Sequence, residues 1–284
     1  MCRGLSGGSG EIEPEVTTHE LSVDSERGVV VKRYVQYARG EPAREWRALR
    51  LLAQHAPGLA PEPVRADLEA VPPVVEMSLL PGEPLGDAPL TQEQESALVR
   101  ALGQLWQSVP VERVIAGAGE YGNEAQLVRA VSELVGAGPD LGDDPLAQAA
   151  YAAGVDWLTW AGAVTGDPDG RQPVLGQGDA NLANFLWDGE RVRIVDFEDS
   201  GISDRAFELA VLVEHISAWL GAGLRGDQFT QAFDLTPAER ARLASCRRLA
   251  ALHWLLLLRP GTASSERNPP GTLRLQAERL LALF

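Results

Sequence analysis

Residues 174–204 read VLGQGDANLANFLWDGERVRIVDFEDSGISD, and this stretch decides how the rest of the chain is interpreted. Short apolar runs alternate in it with oxygen-bearing side chains, a pattern typical of a buried segment rather than a solvated one. The side chains in question are Asp179, Asn184, Asp196, Glu198 and Asp199. Polar groups held in such a setting are candidates for metal binding or catalysis.

The dipeptide Asp188-Gly189 predicts a two-residue hairpin turn between two apolar segments. Pairing of those segments would bring Asn184 and Asp196 close in space, although twelve positions separate them in the sequence. An amide oxygen and a carboxylate suit a hard cation such as Mg²⁺. Asp179, just upstream, is then free for proton chemistry.

Length and composition indicate an ordinary globular protein. With 284 residues, 45% of them hydrophobic, the chain can form one large domain or two lobes, and we expect two lobes. Cys2 and Cys246 give no disulfide framework and fit a reducing cytosol. We find no secretory signal and no apolar run long enough to span a membrane, so we expect a cytoplasmic protein.

The formal net charge of −15 argues against binding to a nucleic-acid backbone, which needs a strongly basic surface. The same charge fits a cationic small-molecule partner, and it fits equally an acidic surface that only keeps the protein dissolved.

Near the N-terminus, the pattern predicts two β-strands over residues 16–25 and 28–37 and an amphipathic helix over residues 41–54. Lys32 follows an apolar run, so its side chain is predicted to point inward. Glu45 would lie on the inner side of the helix, where it could pair with Lys32 and direct the ammonium group towards a phosphate. Taken singly, each residue also fits a solvated surface charge.

A short apolar strand over residues 71–80, followed by Pro-Gly-Glu-Pro at 81–84, predicts the boundary between two lobes. We assign residues 1–80 to an N-terminal nucleotide-binding lobe and residues 81–284 to a C-terminal catalytic and acceptor-binding lobe. We expect Pro-Gly-Glu-Pro to interrupt regular structure and its bare amides to face a flat heterocycle. Residues 5–10, LSGGSG, fit either a flexible start or a turn that covers phosphates.

Beyond this boundary the sequence predicts a mainly helical region, with Thr91 and Thr236 as N-caps of two of its helices. The first predicted helix begins at Thr91. The others cover residues 123–135, 146–163, 205–220, 236–258 and 272–283. The four histidines, at positions 19, 55, 215 and 253, lack metal-ligand spacing, so we assign them no catalytic role.

The polar residues of the opening stretch follow the pattern of a known family. Its pattern is H-G-D-x4-N, followed by an aspartate after the next strand, and this chain resembles the aminoglycoside phosphotransferase and choline kinase-like family from about Lys32 to Ala210. The matching residues are Gln177-Gly178-Asp179, Asn184, Asp196-Phe197-Glu198 and Asp204. The resemblance implies a two-lobed, protein-kinase-like α+β fold, with a small antiparallel sheet in the N-terminal lobe and a larger, mainly helical C-terminal lobe.

The resemblance also implies a role for individual residues. Asp179 would be the catalytic aspartate beside the acceptor hydroxyl, and Asn184 and Asp196 would hold Mg²⁺. Lys32 would contact the α- and β-phosphates of ATP while paired with Glu45.

Three further positions follow from the same comparison. Glu76 and Ser78 would present the backbone of the hinge to adenine, and Asp204 would brace the catalytic loop. Gln177 stands where the family has a histidine, and it lacks the ring and the charge of an imidazole.

We therefore expect a kinase that uses ATP or GTP, with Mg²⁺, to phosphorylate a hydroxyl of a small molecule. An aminoglycoside-like or other cationic acceptor is one candidate, because four carboxylates in the helical region could attract it unless they form a solvated face. They are Asp140, Asp143, Asp144 and Asp156. We expect no nucleic-acid or membrane partner, and a monomer or weak homodimer.

Two other functions remain open. A non-catalytic nucleotide-binding module could retain the fold, and Gln177 would permit that. A hydrolase built on Asp179 and Asp196 would leave Lys32 and the hinge without a role.

Overall fold

A computed structural model of the chain describes residues 19–117, 124–160 and 172–284. Residues 5–10, predicted to be either a flexible start or a turn that covers phosphates, lie outside the described residues. Residues 161–163, at the end of one predicted helix, also lie outside them. Within the described part, a small antiparallel sheet near the N-terminus is followed by a mostly helical remainder, as predicted.

The N-terminal sheet has four antiparallel strands in the order β1-β2-β4-β3. The strands are β1 (His19–Asp24), β2 (Val29–Tyr34), β3 (Pro63–Asp67) and β4 (Val74–Ser78). The β-branched run at the start of β2 favours an extended chain. Gly28, with a φ of 63°, completes the turn from β1 because it accepts a positive φ without a steric penalty.

Helix α1 (Glu41–His55) covers one face of this sheet. It has Pro42 in its first turn, where the missing N–H costs nothing. Ala48, Leu49 and Leu52 are buried together with Val75 of β4. The same helix buries Glu45, so packing of the apolar face fixes where that carboxylate lies.

Five short strands follow. The strands β5 (Glu83–Pro84), β7 (Phe185–Trp187) and β8 (Val192–Ile194) form one antiparallel sheet, and β6 (Val174–Gly176) pairs with β9 (Gly201–Ser203). The expectation that residues 81–84 interrupt regular structure is wrong for Glu83 and Pro84, because both pair with β7. Proline is tolerated there because β5 is an edge strand.

The hairpin between β7 and β8 differs from the predicted two-residue turn. Its loop has four residues, 188–191. The carboxylate of Asp188 accepts hydrogen bonds from the N–H groups of Glu190, at 3.0 Å, and Arg191, at 2.9 Å. An aspartate side chain that binds its own loop in this way stabilises a wider turn than the Asp-Gly pair alone would form.

The helical region contains nine α-helices within the described ranges. They are α2 (Gln92–Ser108), α3 (Val111–Gly117), α4 (Glu124–Gly136), α5 (Pro145–Trp160), α6 (Arg205–Glu214), α7 (Gly226–Thr230), α8 (Pro237–Leu257), α9 (Ala263–Arg267) and α10 (Thr272–Leu281). Thr91 and Thr236 cap α2 and α8 as predicted, each accepting a backbone N–H at 3.2 Å. No helix in the described part of the chain is both long and apolar enough to cross a membrane.

The helix predicted over residues 205–220 is interrupted after Glu214, and a π-helical turn, Ser217–Gly221, follows. In a continuous α-helix the N–H of Ser217 would donate to the carbonyl of Val213. That N–H donates instead to Nδ1 of His215 at 3.1 Å, and the Val213 carbonyl accepts from Arg279 at 3.2 Å. One of the two bonds at the break thus comes from α10, which lies far along the chain.

Candidate active site

Lys32 points inward from β2 and lies among three carboxylates. Its Nζ is 2.8 Å from Glu45 Oε2, 2.6 Å from Asp196 Oδ1 and 2.8 Å from Glu198 Oε2. The ion pair that the sequence predicted between Lys32 and Glu45 is present. Glu198 was given no role, although its position two residues after Asp196 could have indicated one.

The electrostatics of this cluster favour charged groups. Burial alone would lower the pKa of Lys32, but the carboxylates of Glu45, Asp196 and Glu198 raise that pKa above its ordinary value. Burial also opposes ionisation of Glu198, yet hydrogen bonds from His19 and Lys32 lower its pKa to about 2. Carboxylate oxygens of Glu45, Asp196 and Glu198 lie within 4.8 Å of one another, a spacing that also suits a metal ion.

Asp179 lies in the loop after β6 and is held by neighbours from its own loop. Its Oδ1 accepts the N–H of Asn181 at 3.1 Å, and its Oδ2 accepts the Asn184 amide at 2.9 Å. Asn181 also begins the short 3₁₀ turn Leu182–Asn184, which directs Asn184 towards Asp179. Burial raises the pKa of Asp179, although the two hydrogen bonds oppose the shift.

The hairpin brings Asn184 and Asp196 together as expected. The N–H of Val195 donates to the carbonyl of Asn184 at 2.9 Å, so Asp196 directly follows a residue bound to Asn184. Asp196 has a φ of 61°, a left-handed conformation that is uncommon outside glycine. Such a conformation costs about 1–3 kcal/mol and is found most often at functional sites.

Gln177 connects the Asp179 loop to the segment of Asp196. Its Nε2 donates to the carbonyls of Val195, at 3.2 Å, and Asp196, at 2.8 Å, and its Oε1 accepts the N–H of Asp179 at 2.7 Å. The side chain is buried. The amide therefore makes three bonds that fix both segments, although it stands in place of a histidine.

We expect Gln177→Leu to lower kcat about 10- to 100-fold, because Asp179 and Asp196 lose their common support. The free energy of unfolding should fall by about 2–4 kcal/mol, since three buried polar groups lose their partners. Steady-state kinetics and urea denaturation measure the two effects.

Gln276→Leu is the matched control. Gln276 is also buried and donates to the Ala251 carbonyl at 2.9 Å, away from Asp179. Gln276→Leu should lower the free energy of unfolding and leave kcat unchanged. Equal losses of kcat in both variants would show that Gln177 acts only through stability.

Glu208, on α6, also binds the loop that carries Asp179. Its Oε2 accepts the backbone N–H of Gln177 at 3.1 Å. Burial raises the pKa of Glu208 to about 7, although Ser203 and the backbone N–H groups of Gln177 and Gly178 oppose the shift. The hydrogen bonds of Asp204, which was expected to brace the loop, instead go to the N–H of Phe207 at 3.0 Å and to Arg242 at 2.6 Å.

The raised pKa of Glu208 predicts a pH dependence of stability. The folded state holds the proton more tightly than the unfolded state, so this contribution is complete below about pH 4.5 and is lost as the pH rises to about 7. The stability difference between the wild type and Glu208→Gln should therefore fall by up to about 3 kcal/mol across that range.

Chemical denaturation at several pH values measures that difference. Glu190→Gln, which removes a carboxylate at an exposed loop position, serves as control. A difference between the wild type and Glu208→Gln that stays constant with pH would contradict the assignment.

Glu76 and Ser78 lie in β4, which has a partner strand on each side. The N–H of Ser78 donates to the Glu62 carbonyl at 2.9 Å, and the Glu76 carboxylate contacts Arg27 at 3.4 Å. The next N–H, of Leu79, donates to the carbonyl of Gly28 at 2.8 Å. The amides of Ser78 and Leu79 are therefore used by the sheet, and Leu80 is the first residue after them whose amide could reach adenine.

Asp179 opens onto a cleft of about 330 Å³ between the loop and helices α4, α6 and α8. Its lining includes two carboxylates, Asp179 and Asp199, two histidines and several apolar side chains. The residues concerned are Arg39, Gln126, Leu127, Ala130, Gly178, Asp179, Ala180, Asp199, Phe207, Val211, His215, Ala250, His253 and Trp254. The histidines were assigned no role from the sequence, because α6 and α8 bring them together only in the fold.

The four carboxylates suggested for attracting a cationic acceptor do not line this cleft. Asp144 caps α5 through the N–H of Leu146 at 2.8 Å and pairs with Arg274 at 3.3 Å. Asp140 accepts the N–H of Gly142 at 2.8 Å, and Asp156 is exposed. Local structure and solvent therefore account for these three.

Three solved structures show the same fold as this chain. A choline/ethanolamine kinase family protein from Mesorhizobium loti is 20% identical, over 95% of this chain and 86% of its own, with a TM-score of 0.60. APH(2″)-IIia in complex with GDP and kanamycin is 17% identical, over 95% and 94%, with a TM-score of 0.61. The spectinomycin phosphotransferase APH(9)-Ia in complex with ADP and spectinomycin is 16% identical, over 99% and 88%, with a TM-score of 0.58.

At these identities the likeness shows the fold alone, which is the two-lobed, kinase-like fold predicted from the sequence. No protein with a curated description matches the chain. The sequence profile of the phosphotransferase enzyme family matches residues 17–245, well over half of the chain, and the chain therefore belongs to that family.

Proposed function

We propose that this protein transfers the γ-phosphoryl group of ATP or GTP, with Mg²⁺, to a hydroxyl of a small molecule. One observation carries the proposal: Asp179, which lines the cleft, is bound by Asn184 at 2.9 Å, and the segment after the neighbouring strand carries Asp196, which Lys32 binds at 2.6 Å. Phosphoryl transfer needs positioning and charge neutralisation more than covalent chemistry, and these residues offer both.

In this proposal Asp179 accepts the hydrogen bond of the acceptor hydroxyl and takes its proton. The bonds from Asn181 and Asn184 hold the carboxylate in place for that task. Lys32 neutralises the α- and β-phosphates, and Glu45 orients its ammonium group.

The residues present fit a Mg²⁺ site. Asn184 and Asp196 supply an amide oxygen and a carboxylate, which are ligands that Mg²⁺ accepts alongside phosphate oxygens. A bound Mg²⁺ would offset negative charge on the phosphates. We propose Leu80, rather than Glu76 or Ser78, as the backbone amide for adenine, at the boundary between residues 1–80 and 81–284.

A cationic acceptor would find one carboxylate in the cleft besides Asp179. Burial raises the pKa of Asp199 to about 6, so this side chain is mostly ionised at neutral pH. An amine near Asp199 is therefore compatible with the site. A reaction that draws on the nucleotide pool fits a cytoplasmic protein.

A nucleotide-binding module without turnover is the second candidate. It was suggested by Gln177 in place of the histidine and by the poor match to a phosphate-binding loop. The three hydrogen bonds of the Gln177 side chain weaken the first argument, because they join the Asp179 loop to the segment of Asp196.

An ADP-release assay tests the proposal. The protein is incubated with ATP or GTP and Mg²⁺, together with amino-alcohols, aminoglycosides, nucleosides and sugars, and thermal shift by the nucleotide is recorded in parallel. Acceptor-dependent release of ADP from ATP, or of GDP from GTP, supports a phosphotransferase. A thermal shift without release on any acceptor would favour the binding module.

A further inference from the structure

The helices that line the cleft contribute several apolar side chains to it. Leu127 and Ala130 of α4, Val211 of α6 and Trp254 of α8 all line it. Burial of a ligand's carbon skeleton against such a surface favours binding. An indole ring packs well against another flat ring.

The two histidines of the cleft are neutral. Burial lowers the pKa of both His215 and His253 to about 4, so neither adds a positive charge at physiological pH. Each neutral ring can therefore form a hydrogen bond with a ligand without repelling an amine of that ligand.

The hydrogen bonds of His215 determine which of its nitrogens carries the proton. Nδ1 accepts the N–H of Ser217 at 3.1 Å and lies 2.7 Å from the hydroxyl of the same residue. A neutral imidazole that accepts at Nδ1 carries its hydrogen on Nε2. Among the described residues no hydrogen bond to Nε2 is found. The imidazole ring stands edge-on to Trp254, with 4.8 Å between the two ring centroids.

Few charges in the cleft are available to a ligand. Its carboxylates are Asp179, needed for the hydroxyl, and Asp199, whose Oδ1 lies 3.8 Å from Arg39 and 3.6 Å from Arg44. Arg39 lines the cleft as well. A polycation would bring several ammonium groups into a site that has at most one carboxylate to spare, and an unpaired buried charge is costly.

We propose that the acceptor is a compact alcohol with an apolar ring and at most one amine, and that Nε2–H of His215 donates a hydrogen bond to its oxygen. This rests on the proposed phosphotransferase function. The acceptor O–H bond breaks, its proton passes to Asp179, and its oxygen bonds to the γ-phosphorus. The bond from that phosphorus to the β–γ bridging oxygen breaks, and the nucleoside diphosphate leaves.

Two substitutions separate this donor from the structural role of the ring. Ser217 also accepts the N–H of Leu182 at 2.9 Å, so loss of the whole side chain of His215 would disturb the catalytic loop. His215→Asn keeps an oxygen for the Ser217 N–H and removes the donor at the place of Nε2. His215→Gln can place an amide N–H near that position.

Titration calorimetry on the chain saturated with ADP and Mg²⁺ tests the proposal, with phenylalaninol, benzyl alcohol, choline and kanamycin as probes. We expect phenylalaninol to bind at least about tenfold more tightly than kanamycin. His215→Asn should weaken the binding of phenylalaninol about tenfold, as expected for the loss of one hydrogen bond. His215→Gln should restore most of the affinity. In turnover, His215→Asn should raise KM more than it lowers kcat.

His55→Asn, outside the cleft, is the control and should bind phenylalaninol as the wild type does. Tighter binding of kanamycin, no binding of either aromatic alcohol, or unchanged affinity in His215→Asn would overturn the proposal. Turnover of kanamycin alone would support the phosphotransferase function and refute this acceptor class. Binding of phenylalaninol without turnover of any alcohol would refute the function and leave the ligand class supported.

Discussion

Asp179→Asn is expected to lower kcat by about 10²- to 10⁴-fold, the range for loss of a general base. An asparagine has nearly the same shape and can keep the hydrogen bond from the Asn181 N–H. It cannot take a proton from the acceptor hydroxyl. Steady-state ADP release measures the loss, and the thermal shift by ATP and Mg²⁺ should stay close to that of the wild type.

Asp156→Asn is the matched control, because it makes the same chemical change at an exposed position of α5. It should retain full turnover. Full turnover in Asp179→Asn would remove Asp179 from the mechanism, and loss of the nucleotide shift would show that the variant perturbs the whole site.

Gly178→Ala is expected to abolish most of the activity and to cost several kcal/mol of stability. Gly178 has a φ of 87°, and a Cβ there would lie 1.9 Å from the carbonyl oxygen of Asp199. Backbone cannot yield as a flexible side chain does, so the loop that carries Asp179 would move away from the Asp199 segment. A shift of about 1 Å at a reacting group can cost 10²-fold in rate.

Gly189→Ala separates this clash from the general penalty of a positive φ. Gly189 has a φ of 98°, and nothing lies within 4 Å of the position of its Cβ. It should cost only about 1–3 kcal/mol and leave kcat unchanged. If both variants lost the same stability and activity, close approach to Asp199 would have no special role. Urea denaturation and ADP release provide the comparison.

Local pattern was sufficient for the elements that position Lys32 and Glu45. The β-branched run of β2 favours a strand, the apolar spacing of α1 specifies a face, and that face packs on the N-terminal sheet. The pair between the two residues follows from that packing and was predictable. The spacing around Asp188-Gly189 likewise predicted that Asn184 and Asp196 would meet, although the loop is longer than expected.

Features that depend on distant residues were not predictable in this way. At the break after Glu214, Arg279 binds the Val213 carbonyl, and no local signal marks that bond. The cleft takes its lining from three helices that are far apart in sequence. His215 and His253 therefore looked like isolated histidines until α6 and α8 were placed side by side.

The cluster around Lys32 also has a consequence for how a nucleotide would enter the site of the proposed phosphotransferase. Three carboxylates share the ammonium group of Lys32, and His19 contacts one of them, Glu198, so the carboxylates outnumber these two basic groups. A nucleoside triphosphate without a divalent cation would approach like charge and be repelled. In the proposed reaction, phosphate oxygens would compete for the ammonium, and the carboxylates released from it would favour a bound cation. Nucleotide affinity is therefore expected to rise steeply with the concentration of divalent metal.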